Sequence, residues 1–480
     1  MDENNKIKLI DKVYINGEFV KPIGTERINI INPSTEKIIG QVVLGNEADA
    51  KKAIKAAKEA FKSFSKISIA ERGKILEKIH DAILSRAADL NHACMEEYGA
   101  TAKAGDFRTG ISADSFLLAK EALEAFEFTK CIGKAKVVHE PLGVIAAITP
   151  WNANNSQIAI KVATALAAGC TIVVKASEFS SLQTQILAEC FHEAGLPAGV
   201  VNIVYGLGTT VGAELSSNPD IAMISFTGSV NTAKAIHHNA VDTMKRVVLE
   251  LGGKSANIIL DDADFTKAIP RAVTSCFGNH GQMCIAGSRL LVPEHRLDEV
   301  KKLIKQAVAN TKVGYPWEED TFIGPLINEK QYKRVQNYIK IGIKEGADLI
   351  IGGEGHPKGL EKGYFVKPTV FANVTPSMTI AREEIFGPVL SILTYKSEED
   401  AVEMANDTEY GLGAYISSSN IEKAKQIASQ LVAGTIYIND VILEMSAPYG
   451  GFKQSGIGRE GGIYGLEEYL EPKTILVSAP

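Results

Sequence analysis

The chain holds only six cysteines, Cys94, Cys131, Cys170, Cys190, Cys276 and Cys284, and no two of them form a Cys-x-x-Cys pair. Such scarcity in 480 residues excludes a disulfide scaffold and makes reduced thiols the expectation. The nine histidines include no His-Glu-x-x-His and no zinc spacing with cysteine; adjacent His237 and His238 come nearest, so no metal is assigned. Positive charge is also short. Lysine and arginine number 51 against 57 acids, a net charge of −6, which leaves no basic stripe for nucleic acid and no polybasic patch for anionic lipid. Long hydrophobic runs are missing, which argues against a membrane span. The stretch Met1-Asp2-Glu3-Asn4-Asn5 lacks the basic-then-apolar order of a signal peptide. The expectation is a cytoplasmic protein whose partner is a small molecule.

What is present is the balance of a large folded enzyme. Hydrophobic residues make up 45% and charged residues 22%, and the length predicts two or three domains, each with its own core. From Gly143 onward short apolar runs alternate with helical patterns: Val144 to Ile148, Thr171 to Val174, Val200 to Val204, Ile221 to Phe226 and Arg246 to Leu251. This alternation predicts parallel strands with helical crossovers. Gly169 and Gly195 fall where two of those helices should stop, because glycine takes the left-handed terminal conformation without steric cost. A second series has strands near Leu290 to Val292, Val389 to Tyr395, Leu412 to Ser417 and Gly434 to Ile438, with amphipathic helices such as Glu399 to Asn406 between them. The two α/β units should meet near Gly252-Gly253, and residues 46–91 read as helical throughout.

Three segments carry chemistry. Phe277-Gly278-Asn279-His280-Gly281-Gln282-Met283-Cys284 puts a cysteine after a glycine-bearing loop that closes an apolar helix. A lone cysteine reads equally as a packed thiol; to act as a nucleophile it needs a pKa depressed from about 8.5. Thirty-four residues earlier, Leu249-Glu250-Leu251-Gly252-Gly253-Lys254 sets a carboxylate at a strand end beside two glycines, where α/β proteins present reactive groups. Thr149-Pro150-Trp151-Asn152 ends another strand and offers an amide donor able to hold an oxyanion, although Asn at such a place also serves as a turn or helix cap.

With Val174-Lys175-Ala176-Ser177-Glu178, Phe226-Thr227-Gly228-Ser229, Glu383-Glu384-Ile385-Phe386-Gly387-Pro388 and Gly450-Gly451-Phe452-Lys453-Gln454-Ser455-Gly456, these segments form an ordered set across nearly the whole chain. The set resembles the aldehyde dehydrogenase superfamily, in its NAD(P)-dependent hydrolytic branch. The resemblance implies two doubly wound α/β domains plus a small β oligomerisation extension. Residues 1–124 and 142–252 would form a Rossmann-like dinucleotide-binding domain, 253–468 a catalytic domain, and 125–141 with 469–480 the oligomerisation strands of a homodimer or homotetramer.

By the same resemblance Cys284 attacks the aldehyde carbon. Asn152 and the Cys284 N–H hold the oxyanion, hydride passes to NAD, and Glu250 activates the water that hydrolyses the thioester. Thr149, Trp151, Phe226, Thr227, Gly228, Ser229 and Leu251 would line the cofactor. Lys175, counted with the catalytic residues as well, would hold the adenosine ribose together with Ser177 and Glu178. Glu384 and Phe386 would fix the nicotinamide end. Gly208 and Gly212, in a glycine run one residue too long for the usual fingerprint, would be an adenosine-side wall. Ala233 stands where many relatives carry glycine. The Glu178 carboxylate should repel the extra phosphate of NADP, so NAD is expected with NADP tolerated.

Two alternatives stay open: an acyl-coenzyme A-forming relative, which the presence of Glu250 disfavours, and a catalytically silent binding or structural relative, which should have lost Cys284 or Glu250. Ala153-Asn154-Asn155-Ser156-Gln157, Met283, Ile285 and the loop Asp440 to Tyr449 with Glu444 would form the substrate mouth. Its asparagines and Glu444 motivate an expectation of polar or cationic aldehydes.

Overall fold

The computed structural model describes residues 8–439, 441 and 443–477; of the positions singled out in the sequence, Asp440, 1–5 and 478–480 lie outside these. Two sheets organise the chain. In the first, the strands run in the spatial order Gly456–Ile457, Arg246–Glu250, Met223–Thr227, Val144–Ile148, Thr171–Lys175, Val201–Ile203, Val13–Ile15 and Glu18–Val20. Its five central strands are parallel. Val144–Ile148 and Thr171–Lys175 are buried at every position, as strands covered on both faces must be. The chain enters at Val144–Ile148, steps outward to Val201–Ile203, then jumps back to Met223–Thr227 on the other side. That reversal opens a crevice beyond the carboxyl ends of Val144–Ile148 and Met223–Thr227, the place where open α/β sheets bind ligands. Thr149 and Gly228 stand at its edges.

The second sheet has the order Asp348–Ile351, Thr369–Ala372, Val389–Tyr395, Arg289–Pro293, Ala256–Ile259, Gly413–Ser417 and Thr435–Ile438, all parallel except the first strand. Apolar clusters fill both faces of each sheet. The expected α/β class holds, as do the helix stops: Gly169 and Gly195 have φ of 86° and 69°. The segment after Gly450 returns to the first sheet, where Gly456–Ile457 pairs antiparallel with Arg246–Glu250. Two further sheets have three strands each: one joins Lys8–Ile10, Ile38–Val43 and Arg27–Ile31, the other Leu470–Leu476, Ala135–Pro141 and Thr129–Ile132.

Two expectations need correction. Residues 46–91 do not form one helix: Glu47–Phe64, Ile69–Ser85 and Ala87–Tyr98 are separate, because Ser68 and Glu71 form a capping box that starts a new helix. The strands Ala256–Ile259 and Thr369–Ala372 were not expected from the sequence; both are runs of only four residues, too short to show a period.

The loop that delivers Cys284 is tightly constrained. After helix Phe265–Phe277, Asn279, His280 and Gly281 take φ of 50°, 60° and 70°, three left-handed residues in succession. A Cβ on Gly281 would strike the backbone of Gly387, so only glycine fits there. Gly281→Ala should therefore lower stability by about 1–3 kcal/mol, read as a fall in Tm. Gly208→Ala, where a Cβ meets nothing within 4 Å, should change it by no more than about 0.5 kcal/mol. Equal effects at the two positions would contradict this account of the loop.

Candidate active site

Glu250 ends a strand of the first sheet, and Cys284 lies on the approach to strand Arg289–Pro293 of the second. The carboxyl ends of one sheet thus face the amino ends of the other. Gly252 and Gly253 make the junction close. A side chain at Gly252 would collide with the Glu384 carboxylate, and one at Gly253 would reach within 2.5 Å of the Cys284 carbonyl. The Gly253 N–H donates to Glu384 Oε1 at 3.1 Å.

Side chains behind the thiol loop hold its strained backbone. The Asn279 amide donates to the carbonyls of Asn152 and Gln282 at 3.2 and 3.0 Å, and its oxygen accepts from the Tyr98 hydroxyl at 2.7 Å and from Arg108. The Asn152 amide also donates to the Gln282 carbonyl, at 3.0 Å. One of its two N–H groups remains for another acceptor. Asn152 is thereby fixed against the segment that carries Cys284. Tyr98, Arg108 and Asn279 were not singled out in the sequence; the first two lie in helices about 180 residues upstream, and nothing local marks them.

Cys284 and Glu250 line one cavity of about 200 Å³. The Cys284 sulfur is half-buried and stands 3.4 Å from the Tyr449 hydroxyl. Burial pushes its thiol up to about 11, with Tyr449 opposing and the nearby carboxylates Glu384 and Glu250 adding to the rise. The depressed pKa anticipated for a nucleophile is thus not supplied by the polypeptide alone. Glu250 is 3% exposed, and neither carboxylate oxygen has a hydrogen-bond partner. Burial first, then the negative charge of Glu460, holds its carboxyl well above the usual range, against the pull of Lys161 and Arg459.

The other predicted positions divide between the crevice and its rim. Thr149 is buried with its hydroxyl unpartnered. The Trp151 and Phe386 rings meet edge to face at 5.4 Å, and Phe386 itself is left-handed, φ 62°. Gln331 and Arg334, on helix Glu329–Lys344, hold this turn through the carbonyls of Phe386 at 2.6 Å and Glu384 at 2.5 Å; these two were also missed. Burial raises the Glu384 carboxyl to about 7. At the end of the next strand Lys175 is buried and pairs with Glu178 at 3.2 Å, and Ser177 caps the turn Glu178–Ser180. Lys175 is not among the residues lining the thiol cavity. Ser229 caps helix Val230–Val241, Gly228 packs on the Phe226 ring, and the Thr227 hydroxyl donates to Gln157 at 3.0 Å. Leu251 lines the cavity with Glu250. Gly208 and Gly212 lie in a helical turn with space for a Cβ at both, and Ala233 is buried in the helix after Ser229.

The polar mouth needs correction. Asn154 and Asn155 are buried away from the cavity, Asn154 donating to Thr184 at 3.1 Å. Of that run only Ser156 and Gln157 reach the lining; Ile285 is there and Met283 is not, among the described residues.

The fold thus brings a cysteine carried toward one parallel sheet beside a carboxylate that ends a strand of another. Residues 19–475 match the model of the aldehyde dehydrogenase family, and the chain belongs to that family. It is 46% identical over 465 residues to a 3-succinoylsemialdehyde-pyridine dehydrogenase of a Pseudomonas species, covering 96% of this chain and 98% of that one. A cysteine-to-alanine variant of aldehyde dehydrogenase C from Pseudomonas syringae, in complex with NAD+ and octanal, matches with a TM-score of 0.97 at 43% identity over 98% of both chains. Betaine aldehyde dehydrogenase of Staphylococcus aureus, in complex with NAD+, matches with a TM-score of 0.94 at 37% identity over 97% of this chain and 94% of that one.

The raised thiol pKa has a direct consequence. In the cofactor-free protein, iodoacetamide should alkylate Cys284 at a rate that climbs roughly tenfold per pH unit through pH 9, since on the order of one thiol in ten thousand is ionised at pH 7. A plateau below pH 8, followed by mass spectrometry of the Cys284 peptide, would show that the thiol is activated without cofactor.

Proposed function

We propose that this protein oxidises an aldehyde to a carboxylate with NAD as hydride acceptor, through a thioester on Cys284. The observation that carries the reading is that Cys284 and Glu250 line one cavity while Asn152 is pinned to the loop of the thiol. The Cys284 thiolate adds to the aldehyde carbon, and the free N–H of Asn152, with the Cys284 backbone N–H, stabilises the oxyanion. Bound NAD+ supplies a hydride acceptor and a positive charge near the thiol. Loss of hydride from the tetrahedral carbon leaves the acyl group on sulfur. Glu250 then takes a proton from water, which attacks the thioester carbonyl and frees the acid and the thiol. Burial holds this carboxyl above its usual range, so this step should quicken as rising pH ionises Glu250.

The residues of the crevice fit a dinucleotide. The unpartnered Thr149 hydroxyl, the capped helix start at Ser229 and the exposed side of the Lys175–Glu178 pair offer polar groups along one face, and a helix N-terminus suits a pyrophosphate. Glu384 and Phe386, held from behind by Arg334 and Gln331, would take the nicotinamide end. Negative charge on Glu178 favours NAD over NADP. In this reading 1–124 with 142–252 is the cofactor domain and 253–468 the catalytic domain, with Gly456–Ile457 returning to the first sheet. Strand Leu470–Leu476 exposes Ile475, Leu476 and the following Val477, an apolar edge that a second copy would cover in a homodimer or homotetramer.

Glu250→Gln tests the division of labour. The variant should release one equivalent of NADH per site in a burst and then stall, with steady turnover down by at least about 100-fold. Added coenzyme A should not speed the native enzyme, and NADP in place of NAD should need a higher concentration for the same burst. Steady turnover by Glu250→Gln at the native rate would remove Glu250 from the hydrolytic step.

A further inference from the structure

The cavity does not end at the thiol. From Cys284 and Glu250 it runs between helices Ala102–Ala125 and Asn154–Ala168, beside Gly462–Glu468, as far as Ala122 and Ala167 near the ends of the first two. Ile111 and Ala122 both line it, and eleven residues of helix separate them by about 16 Å. Its wall is aliphatic there, with Ile111, Leu118, Ile160 and Leu466. Ala119 and Ala122 leave room where larger side chains would close the channel.

The hydroxyls of this wall are bonded back to the backbone of their own helices or turns. Ser115 Oγ donates to the Ile111 carbonyl at 2.6 Å, Thr164 Oγ1 to the Ile160 carbonyl at 2.8 Å, and Ser156 Oγ to the Ala153 carbonyl at 3.0 Å. Gln157 accepts from Thr227, and Glu460 pairs with the buried Lys161. Glu444, at the mouth, accepts from the Ser446 N–H and hydroxyl at 3.1 and 2.7 Å. No lysine or arginine lies among the described residues of the lining. A charged or strongly polar tail would lose its water there without a partner, a cost of several-fold to many-fold in binding, whereas each methylene placed there gains roughly fourfold.

We propose that this channel selects aldehydes with an uncharged apolar tail, alkyl or arylalkyl, laid along helices Ala102–Ala125 and Asn154–Ala168, and that Ala119 and Ala122 set how far the tail reaches. This rests on the aldehyde-oxidising reading above and replaces the expectation of polar or cationic substrates.

The test is kcat/KM of the full-length protein with NAD on straight-chain aldehydes from propanal to decanal, beside a semialdehyde ending in carboxylate and an aminoaldehyde. The series should rise by up to roughly fourfold per methylene until the channel is full, and both charged aldehydes should fall at or below propanal. Ala119→Leu, or Ala122→Val if that variant does not fold, should cut the octanal-to-propanal ratio by at least about tenfold. A flat series, or either charged aldehyde as the best substrate, overturns the proposal, and the native series decides this even if neither variant folds. Failure to reduce NAD with every aldehyde, propanal included, would instead overturn the aldehyde-oxidising reading and take the proposal with it.

Discussion

The left-handed run Asn279-His280-Gly281 is the constraint on which the site depends. Backbone in that region costs on the order of 1–3 kcal/mol per residue outside glycine, and it persists because the surroundings determine it from every side. Gly281 is pressed on Gly387, the His280 ring accepts from the Gly324 N–H at 2.7 Å, and Asn279 is gripped by Tyr98 and Arg108. The grip passes directly to function, because the other end of the Asn279 side chain binds the carbonyls of Asn152 and Gln282. One amide therefore sets the spacing between Asn152 at the edge of the first sheet and the thiol loop carried toward the second.

The electrostatics follow from the same enclosure. Burial raises both the Cys284 thiol and the Glu250 carboxyl above their ordinary pKa values. In the proposed reaction a raised carboxyl suits Glu250 to accept a proton and release it again. For Cys284 it is a restraint, because the thiol stays largely unreactive until positive charge arrives beside it. In the proposed reaction, the reactivity of Cys284 would depend on occupancy of the neighbouring crevice. The cavity beside the thiol extends the same logic: its wall hydroxyls are turned back on their own helices, so in the proposed reaction selectivity there would rest on shape and dehydration rather than on hydrogen bonds.

Much of this was legible in the sequence, and the boundary is physical. Strands such as Val144–Ile148 and Val389–Tyr395 match the expected bounds because buried parallel strands are near-continuous apolar runs, broken in the second only by Ser391 and Thr394. Cys284, Glu250 and Asn152 stood out through the ordered set of segments that resembles the family; alone, a glycine-bearing loop or a nearby strand end marked each only weakly. Tyr98 and Arg108 act across the chain on the Asn279 amide oxygen, and Asn279, Gln331 and Arg334 act on backbone carbonyls; no periodicity records such contacts. The polar mouth was misread because Asn154 and Asn155 turn inward in the first turn of their helix, a direction that residue type alone does not carry.

The central claim is that the acyl group passes through Cys284. Acid-quenching the Glu250→Gln protein during turnover with NAD and an aldehyde, then weighing it intact and after digestion, tests that directly. The account predicts one added acyl mass per chain, located on the peptide containing Cys284. An acyl group found on another cysteine, or NADH formed with no adduct at all, would contradict it.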